Sequence, residues 1–253
     1  MKYLPLIRLL VNRELTLRYK RSVIGIGWTL LNPMLTSFVL WVVFSFAFGN
    51  RLMDGQQFAP YLMAGILLNT FFSQGILSSA DSISRNGGIL TKISVPPQVF
   101  AISSTISSFV NFCIGLIPLA IVVQISGQEI AITFPLVIVI GLFLSALISG
   151  LGLLISILFI RFDDTRNIVN VILMILMYLT PILYPISILS LKMQTVVNLN
   201  PLTSYLDIFR WAFSNNAQPT LGNWIYMILT SILTFALGTY IFKRFWPRMV
   251  VML

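Results

Sequence analysis

The sequence contains no histidine and one cysteine, and only seven of its 253 residues are acidic. Histidine, aspartate and glutamate supply most general acids, general bases and metal ligands, so an active site would have few residues to draw on. Cys113 has no second cysteine with which to form a disulfide or a CxxC motif. The sequence also lacks a GxxxxGK[ST] phosphate-binding loop. We therefore predict that the chain is not an enzyme and has no catalytic, metal or cofactor site of its own.

Charge of either sign is scarce as well. Charged residues make up 9% of the chain, against roughly 25% in a soluble domain, while 57% of the residues are hydrophobic. This composition is typical of an integral membrane protein. The net charge of +9 would suit nucleic-acid binding on a soluble basic surface. Here the basic residues lie between long apolar runs, so we expect membrane lipids as partners and no nucleic acid.

Six uncharged runs are each long enough to cross a bilayer, which takes about 20 apolar residues. We predict an all-α protein whose six transmembrane helices lie near residues 28–48, 58–80, 99–125, 132–160, 168–184 and 222–242. In the fourth span, Gly141, Ser145 and Ser149 repeat at four-residue intervals, which favours close helix packing. Proton- or ion-coupled carriers need ionisable residues at membrane depth, and these runs have almost none. The energy for any transport must then come from a partner protein.

Basic residues are distributed unevenly around the predicted spans. Six spans place both termini on one side of the membrane, and thirteen of the sixteen Lys and Arg residues fall on that side. The positive-inside rule then assigns this side to the cytoplasm. We predict a multi-pass protein of the cytoplasmic (inner) membrane with both termini in the cytoplasm.

Residues 1–22 form a segment of their own that carries six of the basic residues. On a helical wheel the polar and apolar side chains separate, which predicts an amphipathic helix on the cytoplasmic membrane surface. Glu14 and Arg18 intrude on the apolar side, where their i,i+4 spacing allows an ion pair. The alternative interpretation is a plain topology anchor. The transmembrane domain would occupy residues 23–253.

Two connections between the spans have features of their own. Residues 81–98, DSISRNGGILTKISVPPQ, contain a helix start, a break at Gly87–Gly88 and a stop at Pro96–Pro97. Residues 161–167, RFDDTRN, concentrate two cations and two acids; a solvated span boundary explains them equally well. Both connections face the cytoplasm in the predicted topology, where a partner protein could dock.

The region from 186 to 220 is too broken for a full span, because Pro181 and Pro185 precede it. It contains two short helical segments of about 20 Å each, less than the ~30 Å of a bilayer core. We predict two short re-entrant helices on the outer side. Asn200 can cap the second helix, with Pro201 at its first position. Asp207 and Arg210 have the i,i+3 spacing of an ion pair.

Several segments together resemble one family. They are RYKRSVIGIGWTLLNPM at residues 18–34, VPPQ at 95–98, RFDDTRN at 161–167, TPILYP at 180–185 and NPLTSYLDIFRWAF at 200–213. Their order and character along nearly the whole chain resemble the ABC transporter permeases of the type-2 exporter class. Members of this family export bacterial surface polysaccharides such as O-antigen, capsule and teichoic acid.

The resemblance implies a homodimer of this chain with two cytoplasmic ATPase subunits, which would bind ATP and Mg. The substrate would be a polyprenyl-pyrophosphate-linked polysaccharide that crosses the membrane through a channel at the dimer interface. A cytoplasmic coupling helix within residues 81–98 would contact an ATPase groove. The candidate coupling residues are Arg85, Asn86, Leu90, Lys92 and Ile93.

Three further sets of residues are candidates within this scheme. An aromatic stripe on the first span could line the channel, although lipid contact and packing explain it as well; it comprises Phe38, Trp41, Phe44 and Phe48. Cations near the first span could bind the pyrophosphate head group; they are Arg13, Arg18, Lys20 and Arg21. The short outer helices could close the channel as an outer gate formed by Asn200, Pro201, Tyr205, Asp207 and Arg210.

Two rival functions remain open at this point. The same class of permease could export a drug or a lipid, and a neighbouring ATPase gene among glycosyltransferase genes would favour glycan instead. An integral-membrane enzyme acting on polyprenyl phosphate belongs to a different class. Turnover by the purified chain without an ATPase would support that enzyme.

Overall fold

The described part of the chain is helical, which confirms the predicted all-α class. The computed structural model describes residues 3–19, 24–25, 27–48, 57–90, 92, 95–162, 164–214 and 218–250. Within these residues the helices are α1 (Leu4–Tyr19), α2 (Gly27–Phe48), α3 (Phe58–Arg85), α4 (Gly87–Leu90), α5 (Gln98–Ile125), α6 (Leu136–Arg161), α7 (Thr165–Leu179), α8 (Leu191–Leu199), α9 (Pro201–Ser214) and α10 (Leu221–Met249). Four of them, α3, α5, α6 and α10, are long and apolar enough to cross a membrane.

Helices α3 and α10 extend further than the apolar runs predicted. α3 continues beyond residue 80 to Arg85, and α10 continues beyond residue 242 to Met249. Each carries an arginine in its last turn, as α6 does with Arg161. Cations at a helix C-terminus are stabilised by the helix dipole, so the charge that ends the apolar run does not end the helix.

Helix α7 is shorter than predicted, and the expected span end at residue 184 is wrong for the helix. α7 ends at Leu179, and Thr180 is already extended. A residue that precedes proline is disfavoured in the α region, and Thr180 precedes Pro181. With 15 residues α7 is only about 22 Å long. α7 is therefore shorter than the four long helices, and so is the apolar stretch Leu31–Val43 within α2.

Helix α6 packs against α3, α5 and α10, and small residues determine how closely. A side chain at Gly238 of α10 would collide with the backbone of Gly150 on α6, and a side chain at Gly141 would collide with Phe109 of α5. The small-residue repeat predicted for this span thus explains the α5 contact through Gly141. The α10 contact depends on Gly150, outside that repeat.

The buried side chains form two hydrophobic clusters. The larger one lies between α3, α5, α6 and α9 and includes fully buried aromatic residues such as Phe58, Tyr205 and Phe209. The smaller one lies where α1 and α4 meet the C-terminal ends of α3 and α10; it includes Leu10, Ile83 and Phe242. We call the end of the bundle that contains the smaller cluster the basic end, because Arg85, Arg161 and the three cations of α10 lie there or beside it. We call the opposite end the α9 end.

The close approach of Gly150 and Gly238 can be tested by substitution. Gly238→Val forces a branched side chain into the α6 backbone and should destabilise the protein by about 1–3 kcal/mol. Ala236→Val adds a similar volume at an exposed position on the same helix and serves as the control. Thermal unfolding of both purified variants in detergent measures the difference. Equal melting temperatures would contradict the close packing of α6 on α10.

Candidate functional site

At the basic end, α1 packs on α5 through one face. Leu10 and Val11 are buried, whereas Arg8, Asn12 and Arg13 are exposed. The helix is therefore two-sided, as the sequence predicts. Its apolar side faces protein at its centre, while Leu4, Leu9 and Leu17 remain exposed at its margins.

A polar network joins α1 to the end of α3. Glu14 accepts a hydrogen bond of 2.9 Å from the Ser104 hydroxyl and pairs with Arg85 at 3.6 Å. Arg13 donates to the Asn86 side-chain oxygen at 3.2 Å. Glu14 thus has partners on α3 and α5, and its predicted i,i+4 pairing with Arg18 stays a prediction. The side chain of Arg18 lies outside the described atoms.

Two of these arginines face the same cavity, of about 570 Å³. Arg13 and Arg85 line it together with Ser82, Ser103 and Glu14. The sequence placed Arg13 in the head-group set and Arg85 in the coupling set, and the structure brings them together. Lys20 and Arg21, the other predicted head-group cations, lie outside the described residues.

The predicted coupling loop begins later than expected, because α3 takes in its first five residues. The break predicted at Gly87–Gly88 is wrong, since both glycines belong to the single turn of α4 and the helix axis is interrupted at Asn86. Leu90 is buried against Ile83 and Phe100 in the smaller cluster. The exposed candidates are Arg85 and Lys92, and Ile89, which the sequence reasoning did not select, is exposed as well. Ile93 lies outside the described residues.

A second ion pair ties α7 to the same end of α3. Arg166, in the first turn of α7, lies 2.5 Å from the Asp81 carboxylate. The Arg166 guanidinium also stacks over the Phe159 ring, 5.6 Å from its centroid. The RFDDTRN segment is therefore more than a solvated boundary, because one of its cations joins two helices.

The aromatic stripe of α2 is partly described. Phe38 is exposed, and its ring centroid lies 6.0 Å from that of Trp41. Trp41 is half-buried and packs against the larger cluster. Phe44 and Phe48 lie in α2, but their side chains are outside the described atoms. The two described rings share one helix face, and only Phe38 presents its ring fully to the surroundings.

At the α9 end, the guanidinium of Arg210 is buried and makes several contacts. It donates to the carbonyl oxygens of Pro181 at 2.9 Å, Tyr61 at 3.1 Å and Ile182 at 3.4 Å. Its charge lies 3.4 Å from the Tyr61 ring centroid, a cation–π contact. A side chain at Gly65 would meet Ile182 at 2.7 Å and Arg210 at 3.2 Å, so the missing side chain makes this approach possible.

The start of α9 is built as the sequence predicts. The Asn200 side-chain oxygen accepts a hydrogen bond from the Leu202 amide at 3.1 Å, and Pro201 is the first residue of α9. The Asn200 amide also donates to the Thr180 hydroxyl at 2.8 Å. Tyr205 is fully buried and its hydroxyl contacts Ser231 of α10. These contacts join α9 to the end of α7 and to α10.

Asp207 lies three residues before Arg210, and their charges interact electrostatically. Arg210 also donates to backbone carbonyls. Asp207 also lines a polar cavity of about 390 Å³. Burial raises the pKa of the Asp207 carboxyl to about 6, and the charge of Arg210 opposes this rise.

The two short helices of the predicted outer gate differ in burial. α9 is buried along its length, with Leu206, Phe209 and Phe213 nearly inaccessible. The Phe213 carbonyl accepts a hydrogen bond from the Ala131 amide at 3.1 Å, which attaches α9 to the α5–α6 connection. α8 is largely exposed, as Leu191 and Leu199 show. Thus α9 belongs to the core, and α8 is the peripheral element.

Tyr61, Asp81 and Arg166 are structurally important residues that the sequence reasoning missed. A lone arginine in an apolar helix signals a buried partner, but Tyr61 is 149 residues away from Arg210. The Asp81–Arg166 pair is likewise separated by 85 residues. Spacing rules reach only three or four residues along a helix, so neither partner is readable from local sequence.

The geometry defines a class of protein: a helical membrane protein in which four of the described helices are long and apolar enough to cross the bilayer. Comparison with known proteins narrows this class. Residues 5–214 match the family described as ABC-2 type transporter, and the chain belongs to that family. This membership confirms the expectation of a transport subunit rather than an enzyme, with ATP hydrolysis by a separate subunit.

Three relatives match most of the chain. The O-antigen export system permease protein RfbA of Myxococcus xanthus is 29% identical over 86% of this chain and 84% of its own length. A protein of the same name from Klebsiella pneumoniae is 25% identical over 94% of this chain and 91% of its own. The polysialic acid transport protein KpsM of Escherichia coli is 21% identical, over 91% of this chain and 90% of its own length.

The buried contacts of Arg210 make a prediction about stability. Arg210→Met preserves most of the apolar contact but leaves the Pro181, Tyr61 and Ile182 carbonyls without this donor. The Pro181 carbonyl keeps the Tyr61 hydroxyl as a donor, but loss of the remaining hydrogen bonds and of the cation–π contact should still destabilise the variant by about 1–3 kcal/mol. Arg248→Met, at an exposed position of α10, is the matched control. Unfolding in detergent, followed by tryptophan fluorescence, measures both; equal stabilities would contradict the assigned role.

Proposed function

We propose that the chain is the permease subunit of an ATP-driven exporter that moves a polyprenyl-pyrophosphate-linked polysaccharide across the cytoplasmic membrane. One observation carries this proposal: the relatives named for O-antigen and polysialic acid export match nearly the whole chain, the α9 region included. The exporter would contain two copies of this chain and two ATPase subunits that bind ATP and Mg. Both termini would lie in the cytoplasm, so that the basic end faces the ATPases.

The proposed topology has six crossings, with α2 and α7 added to the four long helices. α2 has 22 residues, or about 33 Å, and so can span a bilayer core. α7 is shorter, and the segment from Thr180 to Pro185 would continue its path towards the outer surface. α8 and α9, of 9 and 14 residues, are too short to cross and would be the two re-entrant helices.

The channel is proposed to lie between two copies of the chain, along α2 and α7. Both helices leave one side uncovered within a single copy, as the exposed Phe38 and Ile172 show. Elsewhere on its surface α7 also exposes Asn167 and Asn170. Polar side chains avoid lipid and favour protein or water-filled surroundings. These asparagines therefore support a channel or interface beside α7.

The basic end is proposed to recognise the lipid head group and to receive motion from the ATPase. Arginine binds phosphate in a bidentate manner, and Arg13 and Arg85 line one cavity there. Arg18, Lys20 and Arg21 would add charge close by. The α4 turn is the proposed coupling helix. The Asn86 and Asp81 contacts would pass its displacement to α1 and α7, respectively.

Reconstitution tests the proposal against its rivals. The chain would be purified with its cognate ATPase, placed in proteoliposomes and supplied with lipid-linked glycan, a lipid and a drug in separate assays. ATP-dependent movement of the glycan alone is expected. Movement of the drug or lipid instead would favour the other type-2 permeases. Chemical conversion of polyprenyl phosphate without an ATPase would replace the proposal by the enzyme.

Coupling is tested at Ile89, which is exposed on α4. Ile89→Asp places a charge in the proposed apolar contact with the ATPase groove, and we expect at least a tenfold loss of export, equivalent to about 1.4 kcal/mol. Ile89→Leu preserves the apolar surface and should retain export. ATPase co-purification and glycan transport are measured for both. Normal transport by the aspartate variant would exclude α4 as the coupling helix.

The channel role of the stripe is tested at Phe38 and Trp41. An aromatic face can bind successive sugars loosely, at about 1–3 kcal/mol for each by analogy with stacked bases. Phe38→Ala and Trp41→Ala should therefore reduce export of long glycan while the complex still assembles. Val39→Ala, also exposed on α2, is the control. A cysteine at position 38 should be shielded from labelling by a stalled glycan; unshielded labelling with full export would assign the stripe to lipid contact.

A further inference from the structure

The proposed transport path assigns no role to the polar cavity at the α9 end. It has a volume of about 390 Å³ and lies between α8, α9 and the start of α10. Six of its seven lining residues are polar; they are Gln194, Asn198, Ser204, Asp207, Asn223 and Tyr226. This volume falls within the range of small-molecule sites, about 300–1,000 Å³. A cavity in which nearly all walls are polar differs from a packing defect, which is normally apolar.

Three of the side chains that line the cavity keep hydrogen-bonding groups available for a ligand. Gln194 donates its amide to the Leu189 carbonyl at 2.9 Å, which leaves its oxygen as an acceptor. Tyr226 donates to the Leu199 carbonyl at 2.7 Å, so that its oxygen can still accept. The oxygen of Asn223 accepts from Thr220 at 2.9 Å, and its amide hydrogens can still donate. These bonds also fix the three side chains in place before a ligand arrives.

Asp207 and Asn198 supply the remaining chemistry. None of the described residues hydrogen-bonds to the Asp207 carboxyl group. Its oxygens can therefore accept hydrogen bonds from neighbouring hydroxyl groups, and Asn198 offers both a donor and an acceptor. The described residues that line the cavity thus combine donors with acceptors, and they include one acidic side chain and no basic one.

This combination selects one class of ligand. A phosphate or other anion needs donors and is repelled by Asp207. A calcium ion needs six to eight oxygen ligands with several carboxylates, and the described residues contain no group of three or more metal-ligating side chains of the His, Cys, Asp or Glu type. A sugar presents hydroxyl groups that both donate and accept, so it matches the cavity. The carboxylate further favours a neutral or amino-bearing sugar over an acidic one.

We propose that this cavity binds a neutral or amino-bearing sugar unit of the glycan as it leaves the channel. The inference rests on the proposed export function, and it adds a specific saccharide site to the loosely binding aromatic stripe. α9 is fixed in the core and supplies Ser204 and Asp207, while the exposed α8 supplies Gln194 and Asn198. A sugar in the cavity would therefore join the peripheral helix to the fixed one.

Binding is measured on the complete complex with its ATPase in nanodiscs, without transport. The probes are a neutral hexose, an amino hexose and a hexuronic acid. We expect the first two to bind and the third to bind much more weakly. Asp207→Asn should weaken binding of the amino hexose by about tenfold or more, because a hydrogen bond to a charged group is lost. Asp164→Asn makes the same charge change at the other end and should have no effect.

Cysteine labelling provides a second measurement in a Cys113→Ser background. A cysteine at position 198 should be shielded by the neutral and amino sugars, whereas one at position 195, exposed on the same helix, should not be. Shielding at both positions, preference for the uronic acid, or shielding by calcium without any effect of sugar would overturn the proposal.

Transport is assayed separately in proteoliposomes. Wild-type export with no sugar binding would refute this site and leave the proposed function intact. Failure of wild-type export would refute the function, while the binding result would still decide whether the cavity takes a sugar.

Discussion

The guanidinium of Arg210 joins the elements at the α9 end of the bundle. A buried charge requires several hydrogen-bond partners, and here the partners are backbone carbonyls that other elements leave available. Pro181 and Ile182 lie beyond the end of α7, so their carbonyls accept no bond from that helix, and Arg210 donates to both. The stacked ring of Tyr61 completes the site from α3. One side chain thus connects three separate parts of the chain.

This attachment separates a fixed part of the α9 end from a peripheral part. α9 is held by Arg210, by the Asn200 cap and by the buried rings of Phe209 and Phe213. α8 has few buried side chains, Val197 being one of them. Elements with few buried contacts open at low free-energy cost. If the α8–α9 pair closes an exit path, α8 is the element able to move, and α9 is the wall against which it closes.

Sequence patterns predicted those structural features that depend on residues close together in the chain. Apolar runs located the long helices, and the Asn200–Pro201 pair located the start of α9, because hydropathy and capping act over a few residues. The same reasoning placed the end of α7 at residue 184, which is too late, because it did not end the helix before Pro181. It also did not find Arg85 and Ser104 as partners of Glu14, because they approach it only when α1 packs on the bundle. Tertiary contacts of this kind have no signature in spacing.

The two ends of the bundle differ in how strongly they are joined. The Arg210 contacts are buried, so breaking them exposes unsatisfied polar groups at a cost of several kcal/mol. The Glu14–Arg85 and Asp81–Arg166 pairs each include an arginine that is 55% exposed. Exposed pairs of this kind contribute at most about 1 kcal/mol each. The ion pairs of the basic end can therefore rearrange at low cost while the α9 end keeps its geometry, which suits the coupling role proposed for the first and the gate role proposed for the second.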